Sequence, residues 1–153
     1  MNSTDSIYSI NILFGSSCVG KSTFMEKSSK LLYKVEMDDS EFWREDKTNW
    51  PKLCFEFLRE HILKNCENKD MIVTCGGLPL PSHSGYKELE SKYNIVFKHT
   101  LILAKDTETY ISQIKKRKLD DQIDELIESY KWRETTIDLH HEIIINDGSN
   151  YQK

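Results

Sequence analysis

Residues 15–22 combine the side-chain types and spacing needed to hold a phosphate chain. Their sequence, G-S-S-C-V-G-K-S, has two glycines separated by four residues and followed directly by Lys21 and Ser22. Glycines let backbone N–H groups turn inward around phosphate oxygens, and a helix that begins there adds positive potential. Lys21 would bridge the β- and γ-phosphates, and the Ser22 hydroxyl would bind Mg²⁺. The segment therefore predicts a nucleotide triphosphate site of the P-loop, or Walker A, type. The expected nucleotide contacts are Gly15, Ser16, Ser17, Cys18, Val19, Gly20, Lys21, Ser22 and Thr23.

The elements around this loop must hold it at the edge of a sheet. Apolar, β-branched runs predict five strands, and apolar residues at helical spacing predict helices between them. The predicted strands are residues 7–14, 33–37, 71–75, 97–104 and 142–145, and the predicted helices include residues 21–32, 51–66, 85–93, a helix capped by Asp106 and a helix through 119–130. This alternation predicts an α/β fold with a parallel sheet covered by helices, in which ligands bind at the carboxyl ends of the strands.

Composition restricts the class of protein. The chain has 153 residues and is predicted to form a single domain, with 38% hydrophobic and 30% charged residues. Its apolar runs are far shorter than the roughly 20 residues of a membrane span, and the first residues do not resemble a signal peptide, so we expect a cytoplasmic protein. The four cysteines form no C-x-x-C pair and predict reduced thiols. The net charge of −4 disfavours long nucleic acid as a standing partner.

A P-loop alone does not separate kinases from GTPases and motor ATPases. The base-reading N-K-x-D and the switch D-x-x-G of GTPases are both missing from the sequence. Motor ATPases generally have adjacent acids at the end of an apolar strand, whereas strand three ends here in Thr74-Cys75-Gly76-Gly77. These observations favour a kinase.

The chain resembles the small P-loop kinases, the superfamily that holds shikimate, gluconate, adenylate and nucleoside monophosphate kinases and the kinase domain of polynucleotide kinases. Glu36-Met37-Asp38-Asp39 is similar to the D-x-D of shikimate kinases and to the R-D-D of polynucleotide kinases. The segment that begins at Thr74 is similar to the T-G-G-G loop of shikimate kinases and to the D-G-F-P loop of adenylate kinases. The resemblance implies a three-layer fold, a five-stranded parallel sheet of order 2-3-1-4-5 and a short lid.

The resemblance also implies roles for the acids after strand two. Asp38 becomes the candidate general base, because a hydroxyl acceptor must lose its proton during attack. Asp39 or Glu36 would assist acceptor or metal binding. Strand three lacks the aspartate of adenylate kinases, which moves the Mg²⁺ ligands to Ser22 and Glu36. The alternative interpretation is that these acids only end a strand or cap the next element.

Further candidates come from the lid and from the loops after the strands. The basic run 115–118 lies between two predicted helices and resembles a lid, placed at about residues 115–121, whose Arg117 would stabilise the transferring charge. Asn146 begins a loop that resembles the one packing on adenine, and residues 149–153 are expected to be a loose polar tail. The alternative interpretations are a solvent-exposed helix end for the basic run and an ordinary turn for the segment that begins at Asn146. The predicted acceptor ligands are Asp38, Asp39, Trp43, Arg44, Gly76, Gly77 and Arg133.

The functional hypothesis is an ATP- and Mg²⁺-dependent kinase acting on a hydroxyl of a nucleoside, nucleotide or nucleic acid. Catalysis is assigned to Lys21, Asp38 and Arg117. The chain has only four arginines, and a monophosphate acceptor normally needs several, so a hydroxyl acceptor is favoured over the alternative of a nucleoside monophosphate kinase. A small-molecule kinase of the shikimate, gluconate or antibiotic-modifying kind and a nucleotide-binding regulatory module with little turnover also stay open. The sequence leaves the oligomeric state undetermined.

Overall fold

The fold is built from strands and helices that alternate along the chain. The structure is a computed structural model, and it describes residues 7–15, 19–36, 50–74, 79–148 and 151–152. The strands are β1 (Tyr8–Phe14), β2 (Tyr33–Glu36), β3 (Met71–Thr74), β4 (Ile95–Ala104), β5 (Glu142–Asn146) and β6 (Tyr151–Gln152). The helices are α1 (Lys21–Lys27), α2 (Trp50–Lys64), α3 (Ser84–Lys92), α4 (Thr107–Lys116) and α5 (Ile123–Glu134), with short 3-10 turns at Asp120–Gln122 and Ile137–Leu139.

The strands form one sheet of order β2-β3-β1-β4-β5-β6. The first five strands are parallel, in the predicted order, and β1 lies at the centre between β3 and β4. This confirms the predicted α/β class and explains why Ile10, Ile12 and Leu13 are fully buried. The sixth strand was missed. Tyr151 and Gln152 pair antiparallel with Asn146 and Ile145, in a segment expected to be a loose tail.

The core lies on both faces of the sheet, as a parallel sheet covered by helices requires. All four residues of β3 are buried, which agrees with the uninterrupted apolar run in the sequence. Tyr110 and Ile114 of α4 and Leu58 of α2 are completely enclosed. In the part of the chain that the structure describes, none of the helices has the length and apolar character needed to cross a membrane.

Two helix ends show how local side chains set boundaries. Asp106 caps α4, as predicted, because its carboxylate accepts a hydrogen bond of 2.7 Å from the Thr109 N–H. That bond holds the pKa of Asp106 below its ordinary value. By contrast, α1 ends at Lys27 and not near residue 32, because Ser28 turns extended and its hydroxyl bonds to the Phe24 carbonyl at 2.9 Å. The prediction that this helix extends to residue 32 was wrong, and Leu31, which lies beyond its end, is 79% exposed.

Candidate nucleotide-binding site

The two glycines of the predicted phosphate loop are held where a side chain has no room. Gly15 directly follows β1, and a Cβ atom on it would lie 2.7 Å from the Val19 side chain and 2.8 Å from the Ile102 carbonyl oxygen. Gly20 precedes α1 with a φ of 96°, in the left-handed region that favours glycine. A Cβ atom there would lie 2.7 Å from both the Asn146 amide nitrogen and the Tyr151 hydroxyl. The glycine spacing is therefore dictated by backbone shape and close packing.

Lys21 folds back over the loop from the first residue of α1. Its ammonium group donates a hydrogen bond to the carbonyl oxygen of Gly15, which is the first residue of the loop. A lysine at the end of a long, flexible stem can move from this carbonyl to a phosphate oxygen without backbone change. The structure therefore places the cation that the sequence assigned to the phosphates directly at the loop.

Ser22 and Glu36 meet although they belong to different elements. The Ser22 hydroxyl donates a hydrogen bond to a carboxylate oxygen of Glu36, the last residue of β2. Both groups present oxygen, the ligand type that Mg²⁺ prefers, and Mg²⁺ commonly takes few protein ligands and completes its shell with water and substrate phosphates. Within the described ranges, no group of three or more Cys, His, Asp or Glu residues could hold a metal by itself. The Ser22–Glu36 pair therefore fits a Mg²⁺ ion that is also bound by phosphate oxygens.

Asn146 is buried and bonds to the loop backbone. Its amide nitrogen donates to the Val19 carbonyl at 3.0 Å, and its amide oxygen accepts from the Gly148 N–H at 3.0 Å. The predicted role of Asn146 was to line the adenine site. In the structure its amide donates a hydrogen bond to the backbone of the predicted phosphate loop. Contact of Asn146 with an adenine base stays a prediction.

Tyr151 is a site residue that sequence reasoning missed. Its hydroxyl donates to the Gly20 carbonyl at 2.8 Å, its ring packs edge-on against Phe24 at 5.2 Å, and the Lys27 ammonium lies 5.5 Å from the ring centre. Burial raises the pKa of Tyr151, and the positive charge of Arg117 acts in the opposite direction. An aromatic residue in an otherwise polar segment, just after the Asn146-Asp147-Gly148 turn, was the available signal.

The two predicted arginines have different surroundings. Arg117 is exposed at the end of α4, within electrostatic reach of Tyr151, which is consistent with a lid next to the loop. Arg133 is buried near the end of α5, with its guanidinium carbon 5.1 Å from the Trp132 ring centre. Burial, and after it the charge of Arg133, lowers the pKa of His140, which precedes β5. The assignment of Arg133 to the acceptor stays a prediction.

Three histidines lie together beside Arg133. His99 is buried in β4, and its ring stacks on His141 at 5.4 Å and meets Tyr86 edge-on at 4.6 Å. His140 meets the Phe14 ring at 4.9 Å. Burial lowers the pKa of His99 to about 4, with His141 and His140 adding to the effect, and burial followed by Arg133 and His141 lowers the pKa of His140 to about 4. Through these contacts His99 and His141 pack against each other, and His99 and His140 pack against aromatic side chains of the protein.

Several predicted site residues lie outside the described residues. They are Ser16, Ser17 and Cys18 of the loop, and Asp38, Asp39, Trp43, Arg44, Gly76 and Gly77 of the acceptor side. The described part of the candidate site is therefore its nucleotide side, which contains Gly15, Val19 to Ser22, Glu36, Arg117, Asn146 and Tyr151.

Comparison with known proteins identifies the fold. The sequence matches no protein-family model and no curated protein. The structure is similar to shikimate kinase from Bacteroides thetaiotaomicron, with a TM-score of 0.58 and 15% identity over 92% of this chain and 86% of that one. This chain has the fold of the P-loop kinase superfamily.

Two further solved structures are similar in fold to this chain. One is a chain of the PezAT chromosomal toxin-antitoxin system of Streptococcus pneumoniae, with a TM-score of 0.53, 14% identity, and coverage of 97% of this chain and 72% of that one. The other is an uncharacterized protein from Eubacterium ventriosum ATCC 27560, with a TM-score of 0.50, 12% identity, and coverage of 90% and 88%. At these identities the likeness concerns the fold alone, so activity must be argued from the site.

Proposed function

We propose that the chain is an ATP- and Mg²⁺-dependent kinase that transfers the γ-phosphoryl group to a hydroxyl of a nucleoside, nucleotide or nucleic acid. The observation that carries this proposal is the contact between the Ser22 hydroxyl and the Glu36 carboxylate. It joins the phosphate loop to the end of β2, after which the candidate acceptor acids follow. The contact supports the proposal because it places a carboxylate beside the hydroxyl that would bind Mg²⁺, at the strand end from which the candidate acceptor acids continue.

The donor half would work by positioning and charge. Phosphoryl transfer leaves little covalent chemistry to the protein, so catalysis depends on fixed charges and hydrogen-bond donors. Lys21 would exchange its Gly15 carbonyl partner for the β- and γ-phosphate oxygens. Ser22 and Glu36 would hold Mg²⁺, which neutralises phosphate charge when it is bound. The loop amides, at the start of α1, would hold the remaining phosphate oxygens.

The acceptor half is assigned to residues close in sequence to β2. Glu36 ends that strand, and Asp38 is two residues further along, a separation of at most about 7 Å of chain. In this proposal the Asp38 carboxylate takes the proton of the attacking hydroxyl, and Asp39 helps to hold the acceptor. The further acceptor contacts proposed are Trp43, Arg44, Gly76, Gly77 and Arg133.

Arg117 is proposed to close over the transferring phosphate. It follows α4 in a turn that continues to Lys118, whose φ is 59°, so the helix is interrupted at this point. An exposed guanidinium on such a turn can swing inward, and its planar donors match phosphoryl oxygens. Closure would also exclude water from the reacting group.

A screen of ATP consumption tests the proposal. Purified protein is assayed with Mg²⁺ and ATP or GTP against nucleosides, nucleoside monophosphates, short 5′-hydroxyl oligonucleotides, sugars and shikimate. Lys21→Met removes the phosphate cation, and Lys30→Met, at an exposed position after α1, is its matched control. We expect turnover with a hydroxyl acceptor, lost in Lys21→Met and kept in Lys30→Met. Turnover only with monophosphates would contradict the hydroxyl assignment, and nucleotide binding without turnover would favour a regulatory module.

A further inference from the structure

We propose that Tyr151 of β6 is a positioning residue that acts with Asn146 to aim the amides of the phosphate loop at the nucleotide. The inference rests on the proposed nucleotide site but not on the identity of the acceptor. It assigns a function to the short sixth strand, which would hold residues 19–21 in the shape that binds phosphate.

Tyr151 and Asn146 hold two successive carbonyl groups of the loop. The Asn146 amide nitrogen donates to the Val19 carbonyl at 3.0 Å, and the Tyr151 hydroxyl donates to the Gly20 carbonyl at 2.8 Å. The Gly20 carbonyl also accepts the first helical hydrogen bond of α1, from the Phe24 N–H at 2.9 Å. The orientation of two consecutive peptide groups is thereby set from outside the loop.

Fixing these carbonyls also fixes the amides that share their peptide planes. In a trans peptide the C=O and the following N–H point in opposite directions, and the described residues contain no cis peptide bond. The Val19 carbonyl shares its plane with the Gly20 N–H, and the Gly20 carbonyl shares its plane with the Lys21 N–H. With both carbonyls directed at Asn146 and Tyr151, both amides point to the other side. On that side the two amides would be free to donate to a phosphate chain, as backbone amides do in anion-binding loops.

The two donors are themselves linked through the sheet. Asn146 and Tyr151 are paired residues of the β5–β6 ladder, so one rung of the sheet supplies both hydrogen bonds. The Tyr151 ring is fixed by its edge contact with Phe24, and a Cβ atom on Gly20 would approach both donor groups to 2.7 Å. The hydroxyl therefore has a defined position, and Gly20 leaves the space in which both donors reach the loop.

A purely structural role for Tyr151 makes a different prediction from a positioning role. A residue that only closes the sheet edge would change stability and leave phosphate affinity in the folded protein unchanged. A residue that orients the amides would change affinity for the phosphates and leave affinity for the nucleoside part unchanged. Binding measured without an acceptor separates these roles and is independent of turnover.

The test compares Tyr151→Phe with Tyr93→Phe. Both changes delete one hydroxyl, but the Tyr93 hydroxyl accepts from Arg59 at 3.0 Å, away from the phosphate loop. Calorimetry in Mg²⁺ buffer measures the affinity for ATP, inorganic tripolyphosphate and adenosine. We expect Tyr151→Phe to weaken ATP and tripolyphosphate binding roughly 3- to 10-fold, as loss of one orienting hydrogen bond implies, with adenosine unchanged. Tyr93→Phe should match the native chain with every ligand.

Each of the other possible results supports or overturns the positioning role, the kinase proposal or both. Native-like phosphate affinity in Tyr151→Phe, or an equal loss for adenosine, would overturn the positioning role and leave the kinase proposal standing. If Tyr151→Phe does not fold, Asn146→Ala removes the other donor and must weaken tripolyphosphate binding to a similar degree, and native-like affinity there overturns the inference. The expected phosphate-selective loss together with no turnover on any acceptor would support the positioning role and overturn the kinase. A native chain that binds neither ATP nor tripolyphosphate would overturn both.

Discussion

The Ser22 hydroxyl donates a hydrogen bond to the Glu36 carboxylate, which connects the first turn of α1 to the last residue of β2. β3 lies between β1 and β2 in the sheet, so this contact spans the width of a strand at the edge where ligands bind. It brings together the two oxygen groups that the sequence assigned to Mg²⁺. The effect expected of Glu36→Gln depends on this contact.

Glu36→Gln should weaken Mg²⁺-dependent ATP binding more than it destabilises the fold. The amide keeps the shape and can still accept from Ser22, but it loses the charge that favours a cation. We expect the Mg²⁺ concentration at half-maximal ATP binding to rise about 10-fold or more, in the range typical for altered metal surroundings. Glu26→Gln, at an exposed position on α1, is the matched control. An unchanged Mg²⁺ midpoint in Glu36→Gln would remove Glu36 from the metal site.

Gly20→Ala should destabilise the protein more than Gly148→Ala. Both glycines have positive φ, 96° and 100°, so both substitutions introduce comparable backbone strain of about 1–2 kcal/mol. A Cβ atom at position 20 would lie 2.7 Å from the Asn146 and Tyr151 side chains, which is too close. A Cβ atom at position 148 would have a Thr109 methyl as its nearest neighbour, at an ordinary contact distance of 3.7 Å. We expect an extra loss of about 1–3 kcal/mol for Gly20→Ala in urea unfolding. Equal losses of unfolding free energy in the two variants would mean that the Asn146 and Tyr151 side chains move aside at little cost.

Gly85→Ala should destabilise the protein although alanine favours helices. Gly85 lies in α3, and a Cβ atom there would lie 2.3 to 2.6 Å from three ring carbons of Phe55 on α2. The helix preference of alanine is about 1 kcal/mol, and overpacking of this kind costs about 1–3 kcal/mol. Thermal melting should therefore show a lower midpoint for Gly85→Ala than for Ser84→Ala at the exposed neighbouring position. A higher midpoint would indicate that Phe55 moves aside at little cost.

Acidification should destabilise the fold through the buried His99 and the half-buried His140. Burial holds the pKa of His99 and His140 at about 4 in the folded protein, with the neighbouring His141 and Arg133 charges adding to the effect, whereas the ordinary value is 6.5. Between these pH values the unfolded chain binds protons that the folded chain does not. The stabilisation is thus complete above about pH 6.5 and is lost as the pH falls toward 4.

Urea unfolding at several pH values measures this effect. His99→Phe keeps a ring among Tyr86, Phe97 and Phe14 and removes one titrating group, so its unfolding free energy should fall less steeply between pH 6.5 and 4. His83→Asn, at the exposed cap of α3, should follow the native slope. Parallel curves for all three proteins would show that His99 does not titrate on unfolding.

The sequence predicted the parts of the molecule that follow from local chemistry. The strands β1 to β5 and the Asp106 cap depend on apolar runs and short-range spacing, which a sequence displays directly. The order of these strands in the sheet was implied instead by the resemblance to the small P-loop kinases. Tyr151 was missed because its role depends on a partner 131 residues away, the Gly20 carbonyl, and on a strand of only two residues. The end of α1 was placed too late because the apolar spacing of Leu31 outweighed the breaking effect of Ser28 and Ser29.

Transfer of the labelled γ-phosphoryl group of ATP to a hydroxyl acceptor, compared between the native chain and Asp38→Asn, tests the central claim most directly. With the acceptor found in the screen, we expect labelled product from the native chain and a fall in kcat of about 100-fold or more in Asp38→Asn, because the asparagine amide cannot take the proton. ATP affinity should be unchanged, since Asp38 is assigned to the acceptor. Label that stays in ATP for the native chain, or product formation that survives Asp38→Asn undiminished, would contradict the account.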